Sequence, residues 1–163
     1  MLLKEEIEFF VADTGDLTVA PYLHIQPLMR QYGHLYVRRG HPLAKKKHTF
    51  EDAWQYGIAS VKLPEPMKAG LGLLLRQNSQ NLPQLALECD DIHLLHQLAM
   101  NTNSVVASTD LAAKPWCDQK KLVKLNTSDF PELYSSIAIV TLAKRALSPV
   151  ANYTIELFKQ TQF

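Results

Sequence analysis

The chain has 163 residues, 47% apolar, 9% aromatic and 20% charged, a mix that excludes a disordered or acidic-tail protein and fits one ordinary domain of ~100–150 residues. Seventeen basic residues oppose sixteen acidic ones for a net charge of +1, without the basic excess of a nucleic-acid-binding surface. No apolar run approaches the ~18 residues that cross a bilayer, and Met1-Leu2-Leu3-Lys4-Glu5-Glu6 turns acidic where a secretion signal would be basic and then apolar, so the expected location is cytoplasmic, with no membrane partner.

Ile7 to Ala12 reads as a buried strand, ended by a turn at Asp13-Thr14-Gly15-Asp16. Tyr22-Leu23-His24-Ile25 and Pro27-Leu28-Met29 follow, then a strand at Leu35-Tyr36-Val37-Arg38 closed by Gly40-His41-Pro42. Thr49-Phe50-Glu51-Asp52 predicts a capping box and a short helix to about Gln55. Gly57 to Val61 reads as a strand, and Pro64-Glu65-Pro66 opens a segment whose Leu71, Leu74 and Leu75 share a helical face despite Gly70 and Gly72. Leu85 to Cys89 is the next strand, and Asp90-Asp91 caps a helix from Ile92 to Met100. Ser104 to Ser108 is a strand, after which Thr109 or Asp110 caps a short helix that Pro115 is expected to stop. Leu122 to Leu125 reads as an edge strand, Ile137 to Val140 as an apolar strand, and Ser148-Pro149 as the start of the last helix.

Strands alternating with helices predict an α/β fold with a largely parallel sheet, which binds ligands beyond the carboxyl ends of its strands. Four polar clusters fall at such ends: Asp13-Thr14, Ser60, Asp90-Asp91 and Ser108-Thr109. Singly each is a turn or cap; together they suggest a polar cleft for a small molecule. None pairs a nucleophile with a base, so binding is favoured over catalysis. The chain lacks GxGxxG, Walker, GxSxG and HExxH patterns, and no cofactor is expected. His93 and His96 are three apart on one helix with Cys89 before them, but a tetrahedral site would still want a fourth group. No metal is expected there. Cys89 and Cys117 read as reduced thiols, and Lys45-Lys46-Lys47 as a solvated loop.

The order of these segments resembles the effector-binding domain of LysR-type transcriptional regulators. Glu8 to Asp13 looks like that family's segment of acidic residue, apolar strand and turn. Tyr36-Val37-Arg38-Arg39-Gly40-His41-Pro42-Leu43-Ala44 resembles its strand followed by His-Pro-Leu-Ala. Asn103 to Ser108 fits the strand that usually reads glycine, four apolar residues, proline, and Arg145-Ala146-Leu147-Ser148-Pro149 its ending. Asn101 and Asn103 stand where glycines are usual, and Ser108 where proline is.

The resemblance implies a two-lobed fold like type 2 periplasmic binding proteins, with lobe one at residues 1–56 and 130–163 and lobe two at 57–129. It implies a small-molecule effector held between lobes by Thr14, Ser60, Asp91, Ile92, Ser108 and Thr109, in a regulator that is a dimer or tetramer. Family members begin with a winged helix-turn-helix and a linker helix. Their effector domain starts with a strand–helix–strand unit of about 30 or more residues. On this reading the chain is a fragment whose first lobe is incomplete, and it neither binds DNA specifically nor behaves well alone. A stand-alone solute-binding protein of the same fold is the alternative, and an enzyme built on it is a third class for which no acid–base pair can be named.

Overall fold

The computed structural model describes residues 2–4, 6–15, 17–63, 65–75 and 84–160. In chain order, a 3-10 turn at Leu2–Lys4 precedes β1 (Phe9–Asp13), β2 (Leu23–Arg38), β3 (Lys47–His48), α1 (Phe50–Trp54), β4 (Ile58–Ser60), α2 (Glu65–Leu74) and β5 (Leu87–Glu88). Then come α3 (Ile92–Asn101), β6 (Val105–Thr109), α4 (Asp110–Asp118), β7 (Leu122–Lys124), β8 (Asn126–Thr127), β9 (Leu133–Leu142) and α5 (Pro149–Gln160). Contacts divide the chain into two compact units, Met1–Gln31 with Tyr134–Phe163, and Tyr32–Leu133. The lobe boundaries expected near 56 and 130 partition it differently. Residues 32–56 fall in the second unit because Leu35, Val37, Leu43, Phe50 and Ala53 share one apolar cluster with Ile58, Val105 and Leu125.

In the first unit β9 lies between β1 and β2, and β1 pairs with it antiparallel from Phe9↔Thr141 to Asp13↔Ile137. Ala138, Ile139 and Val140 of β9 are buried, as are Ala151 and Ile155 of α5. Phe158 meets Phe9 edge-on at 6.5 Å between ring centroids. The start of α5 is tied down by Glu8: its carboxylate accepts from the Ser148 N–H at 2.8 Å and the Ser148 hydroxyl at 2.6 Å. Ser148 Oγ in turn accepts from the Ala151 N–H at 3.2 Å, which makes it the cap. Those bonds hold the Glu8 carboxyl below its ordinary range, the Ser148 hydroxyl contributing most. The other side of α5 is open, with Val150 75%, Tyr153 67% and Leu157 45% exposed.

In the second unit the strand order is β2-β6-β4-β5, with β7 also on β2. Pairs β4–β5 and β4–β6 are parallel, whereas β2–β6 and β2–β7 are antiparallel. The largely parallel sheet expected from strand–helix alternation is therefore mixed. Helices α2 and α3 supply the crossovers that parallel neighbours need, and β2 runs the other way. Neighbouring residues along these strands feed opposite faces, as a two-residue side-chain period dictates. Leu35, Val37, Ile58 and Val105 pack with Phe50, Ala53 and Leu71 from α1 and α2. Tyr36, Ala59 and Val106 pack with Leu95, Ala99 and Ala113 from α3 and α4. Helices on both faces explain why β4 and β6 read as nearly unbroken apolar runs.

Two prolines overturn expectations. Pro27 lies inside β2, which the sequence breaks into separate pieces. It is tolerated because β6 and β7 reach β2 only at Gly33–Arg38, so the Pro27 stretch has β9 as its neighbour among the described residues. Pro115 lies within α4 and does not stop it. Burial of Ala113, with Trp116 and Cys117 packed on the same cluster, outweighs the single N–H···O bond that proline removes.

The capping box is present: Thr49 Oγ1 accepts from the Asp52 N–H at 3.1 Å and Asp52 Oδ2 from the Thr49 N–H at 2.9 Å. His41 of His-Pro-Leu-Ala is buried. Its Nδ1 accepts from the Leu43 N–H at 3.0 Å, leaving Nε2–H to donate to the Asn103 carbonyl at 2.8 Å. Arg38 donates to Asn103 Oδ1 at 2.8 Å, so the turn after β2 and the loop before β6 are bound together. Asp16, read from sequence as part of a turn, and Pro64, read as the opening of a new segment, lie outside the described residues. Among the described residues no helix is long and apolar enough to cross a membrane.

Candidate functional site

The candidate groups of the second unit gather at one edge because β4, β5 and β6 are parallel. With Ile58↔Val105 and Ala59↔Val106 in register, Ser60 ends β4 and Ser108-Thr109 ends β6 toward the same end of the sheet. Ser60 pairs with Glu88, and its carbonyl accepts from the Cys89 N–H at 3.1 Å, which brings Asp91 and the first turn of α3 to that edge. Helix α4 starts there directly after Thr109. Ser60, Asp91, Ile92, Ser108 and Thr109 are thus brought together. Thr14 belongs to the first unit, where its N–H and its hydroxyl both donate to the Ser136 carbonyl, at 2.9 and 3.0 Å.

Ser60 and Ser108 are buried, at 1% and 8% exposure. Asp91 and Thr109 are caps: Asp91 Oδ1 accepts from the N–H groups of His93 and Leu94 at 2.9 and 3.1 Å, and Thr109 Oγ1 from that of Ala112 at 3.3 Å. Two of the amide donors that follow Asp91 are therefore already taken by its own carboxylate. Ile92 packs half-buried on the Leu95 and Ala99 cluster. Cys89 Sγ accepts from the Asp91 N–H at 3.4 Å, a local turn contact.

His93 and His96 do not act as a pair. His93 is exposed, whereas His96 is 1% exposed with Nε2 2.9 Å from Ser108 Oγ. Among the described residues no three His, Cys, Asp or Glu side chains gather as a metal site. His96 Nδ1 is buried without a partner among the described residues. Burial, with His93 adding a little, pushes the His96 imidazole below its ordinary range. Burial likewise lowers His41, against the opposing effect of its bond to Asn103.

These shifts fix a sign. The unfolded chain binds those protons more readily than the folded one, so stability is expected to fall as pH drops below about 6.5 toward the folded-state values. Urea midpoints between about pH 7.5 and about pH 5 measure this, and His96→Leu should flatten the slope.

A second constellation escapes sequence reasoning. Asp110, the first residue of α4, accepts a hydrogen bond from the Tyr36 hydroxyl. His34 Nδ1 lies 2.7 Å from the same carboxylate and Lys124 Nζ 3.4 Å. Partial burial works against the Asp110 carboxylate, but the Tyr36 bond and the His34 and Lys124 charges outweigh it and hold the carboxyl low. Burial first, then Asp110, pushes the Tyr36 phenol up. Tyr36 and His34 are 74 and 76 positions from Asp110 and Lys124 is 14, and the pairings Gly33↔Thr109, His34↔Ser108 and Tyr36↔Lys124 bring them together. No local signal could have found them. Chemically the edge offers hydroxyl donors and two capped helix starts, and the carboxylates of Asp91 and Asp110 there are already engaged.

Residues 1–162 match the family described as the LysR substrate binding domain. The SDS degradation transcriptional activation protein of Pseudomonas sp. is 31% identical over 157 residues, covering 92% of this chain and 49% of that protein. The chain spans about half the length of that curated relative. The fold is similar to that of HinK, a LysR family transcriptional regulator from Pseudomonas aeruginosa, with a TM-score of 0.72 and 16% identity over 98% of this chain and 54% of that one. It is also similar to the CcmR regulatory domain of Synechocystis PCC6803 in complex with 2-PG, with a TM-score of 0.68 and 16% identity over 97% and 74%. The fold is the type 2 periplasmic-binding-protein-like one, and the chain belongs to the family of LysR substrate-binding domains.

Proposed function

We propose that the chain is the inducer-sensing part of a LysR-type transcriptional regulator that takes a small anionic effector. Ser60, Ser108, Thr109 and the Asp91-Ile92 turn of the second unit hold the effector. The observation that carries this reading is that Ser60, Ser108 and the capping Thr109 all stand at the carboxyl ends of the parallel strands β4 and β6, where α/β sheets take ligands. Two further facts support it: a regulatory domain of the same fold is in complex with 2-PG, and a relative is named for SDS degradation. The Asp91 carboxylate, which would repel an anion, is spent on the end of α3. The Ser108 hydroxyl and the His96 imidazole meet at 2.9 Å, but the far nitrogen of that imidazole has no carboxylate to orient it among the described residues, so the reading is of a domain that binds rather than catalyses. The whole regulator is cytoplasmic and homo-oligomeric and contacts DNA through a helix-turn-helix domain outside this chain.

Calorimetric titration of the chain with 2-PG and with butyl sulfate tests the reading. Saturable binding of at least one probe is expected. Ser60→Ala should weaken it about ten-fold, the loss of one hydrogen bond to a charged group. Thr109 calls for Thr109→Ser, since Thr109→Val would also remove a helix cap. Absence of binding by both probes overturns the proposal.

A further inference from the structure

We infer that His96 is a positioning residue for the effector, its Nε2 fixing the Ser108 hydroxyl so that the Ser108 proton is presented to an anionic group of the ligand. This rests on the proposed function and adds a residue that lies a layer behind the candidate contacts. His96 occupies the buried face of α3 with Leu95 and Ala99, a place where a polar ring is costly unless its bonds compensate. Trp116 packs against it edge-on, with ring centroids 6.3 Å apart, so the imidazole is held by packing.

The proton inventory selects one arrangement. Ser108 Oγ lies 2.9 Å from His96 Nε2 and 3.4 Å from the Thr109 carbonyl. Were Nε2 the acceptor, the ring hydrogen would sit on Nδ1, which is buried with no partner among the described residues. A buried N–H without an acceptor is rare, and a bare lone pair is better tolerated. The hydrogen therefore sits on Nε2, which donates to Ser108 Oγ. The serine proton is then left with the Thr109 carbonyl, at a distance long beside the ~2.7–2.8 Å usual for O–H···O bonds. It is the proton most readily given to an incoming anion, and donation from His96 polarises it further. Asp110, which follows Thr109, does not compete, because Tyr36, His34 and Lys124 already engage its carboxylate.

The experiment titrates 2-PG and butyl sulfate into the wild-type chain, Ser108→Ala, His96→Leu, His96→Gln and the Ser108→Ala/His96→Leu double variant. Each variant's fold is checked by its thermal melt. Ser108→Ala and His96→Leu are each expected to weaken binding about ten-fold. The double variant should lose no more than one single does, and His96→Gln, which keeps an N–H donor, should recover most of the affinity. Nitrogen-15 NMR of the imidazole should show the Nε2–H tautomer. If His96→Leu does not fold, the glutamine variant and the tautomer decide. Losses that add in the double variant, full affinity in a folded His96→Leu, or an Nδ1–H tautomer overturn the inference and leave the proposed function standing. No binding of either probe by the wild-type chain overturns both.

Discussion

Phe50→Ala is expected to lower the unfolding free energy by about 3–5 kcal/mol, the cost of deleting a large core side chain and leaving its cavity. Phe50 is 1% exposed, with the rings of Phe130 and Trp54 at 5.5 and 5.8 Å, and its own N–H donates to Asp129 Oδ1 at 2.7 Å. That backbone bond survives the substitution and holds the start of α1 in place, so the cavity cannot close by sliding the helix inward. Urea denaturation followed by tryptophan fluorescence reads the effect cleanly, because both tryptophans, Trp54 and Trp116, lie in the second unit. A loss below about 1 kcal/mol would mean that the neighbouring rings refill the space.

Tyr36→Phe is expected to cost about 1–2 kcal/mol at neutral pH. A hydrogen bond to a charged group is worth ~1.5–3 kcal/mol, and the half-exposed Asp110 carboxylate is partly screened by water. The aromatic ring stays buried, so packing is unchanged and the difference isolates the hydroxyl. The effect should depend on acid. The Asp110 carboxyl is held low in the folded state, so its contribution is present above the unfolded value near ~3.9 and is lost as pH falls through the folded one. Wild type and variant should therefore converge in strong acid. Melts at about pH 7 and about pH 2.5 check this. A gap that persists in acid would show that the carboxylate is not the partner that matters.

Much of the second unit was legible because its signals are local. A capping box needs only Thr49 and Asp52, and the caps Asp91 and Thr109 each stand directly before the helix they start. The apolar runs at Ile58 and Val105 report strands covered on both faces. Signals that depend on a partner strand were read less well. Pro27 looks like a break unless the open side of β2 is known, and Pro115 looks like a stop unless the packing of Trp116 and Cys117 is known. Of the candidate site, the strand-end hydroxyls could be named, because parallel strands end together. His96 could not be separated from His93, since two imidazoles three residues apart look alike until one meets Ser108. The group around Asp110 is joined only by long-range register and left no trace in the sequence.

The bonds that close the first unit carry a cost in time. Thr14 reaches Ser136 across 122 positions and Glu8 reaches Ser148 across 140, with the whole second unit between them. On a ribosome adding ~5–20 residues per second, β1 waits on the order of ten seconds for its partner β9 to be made. The second unit is complete by Leu133 and has its own core, so it can fold while the nascent chain is still short of β9. That head start shortens the flexible span β1 must close, and chain entropy rewards shorter spans. During the wait the backbone edge of Phe9–Asp13 is a free template for any passing strand. The nascent first unit is therefore where a chaperone has the most to shield.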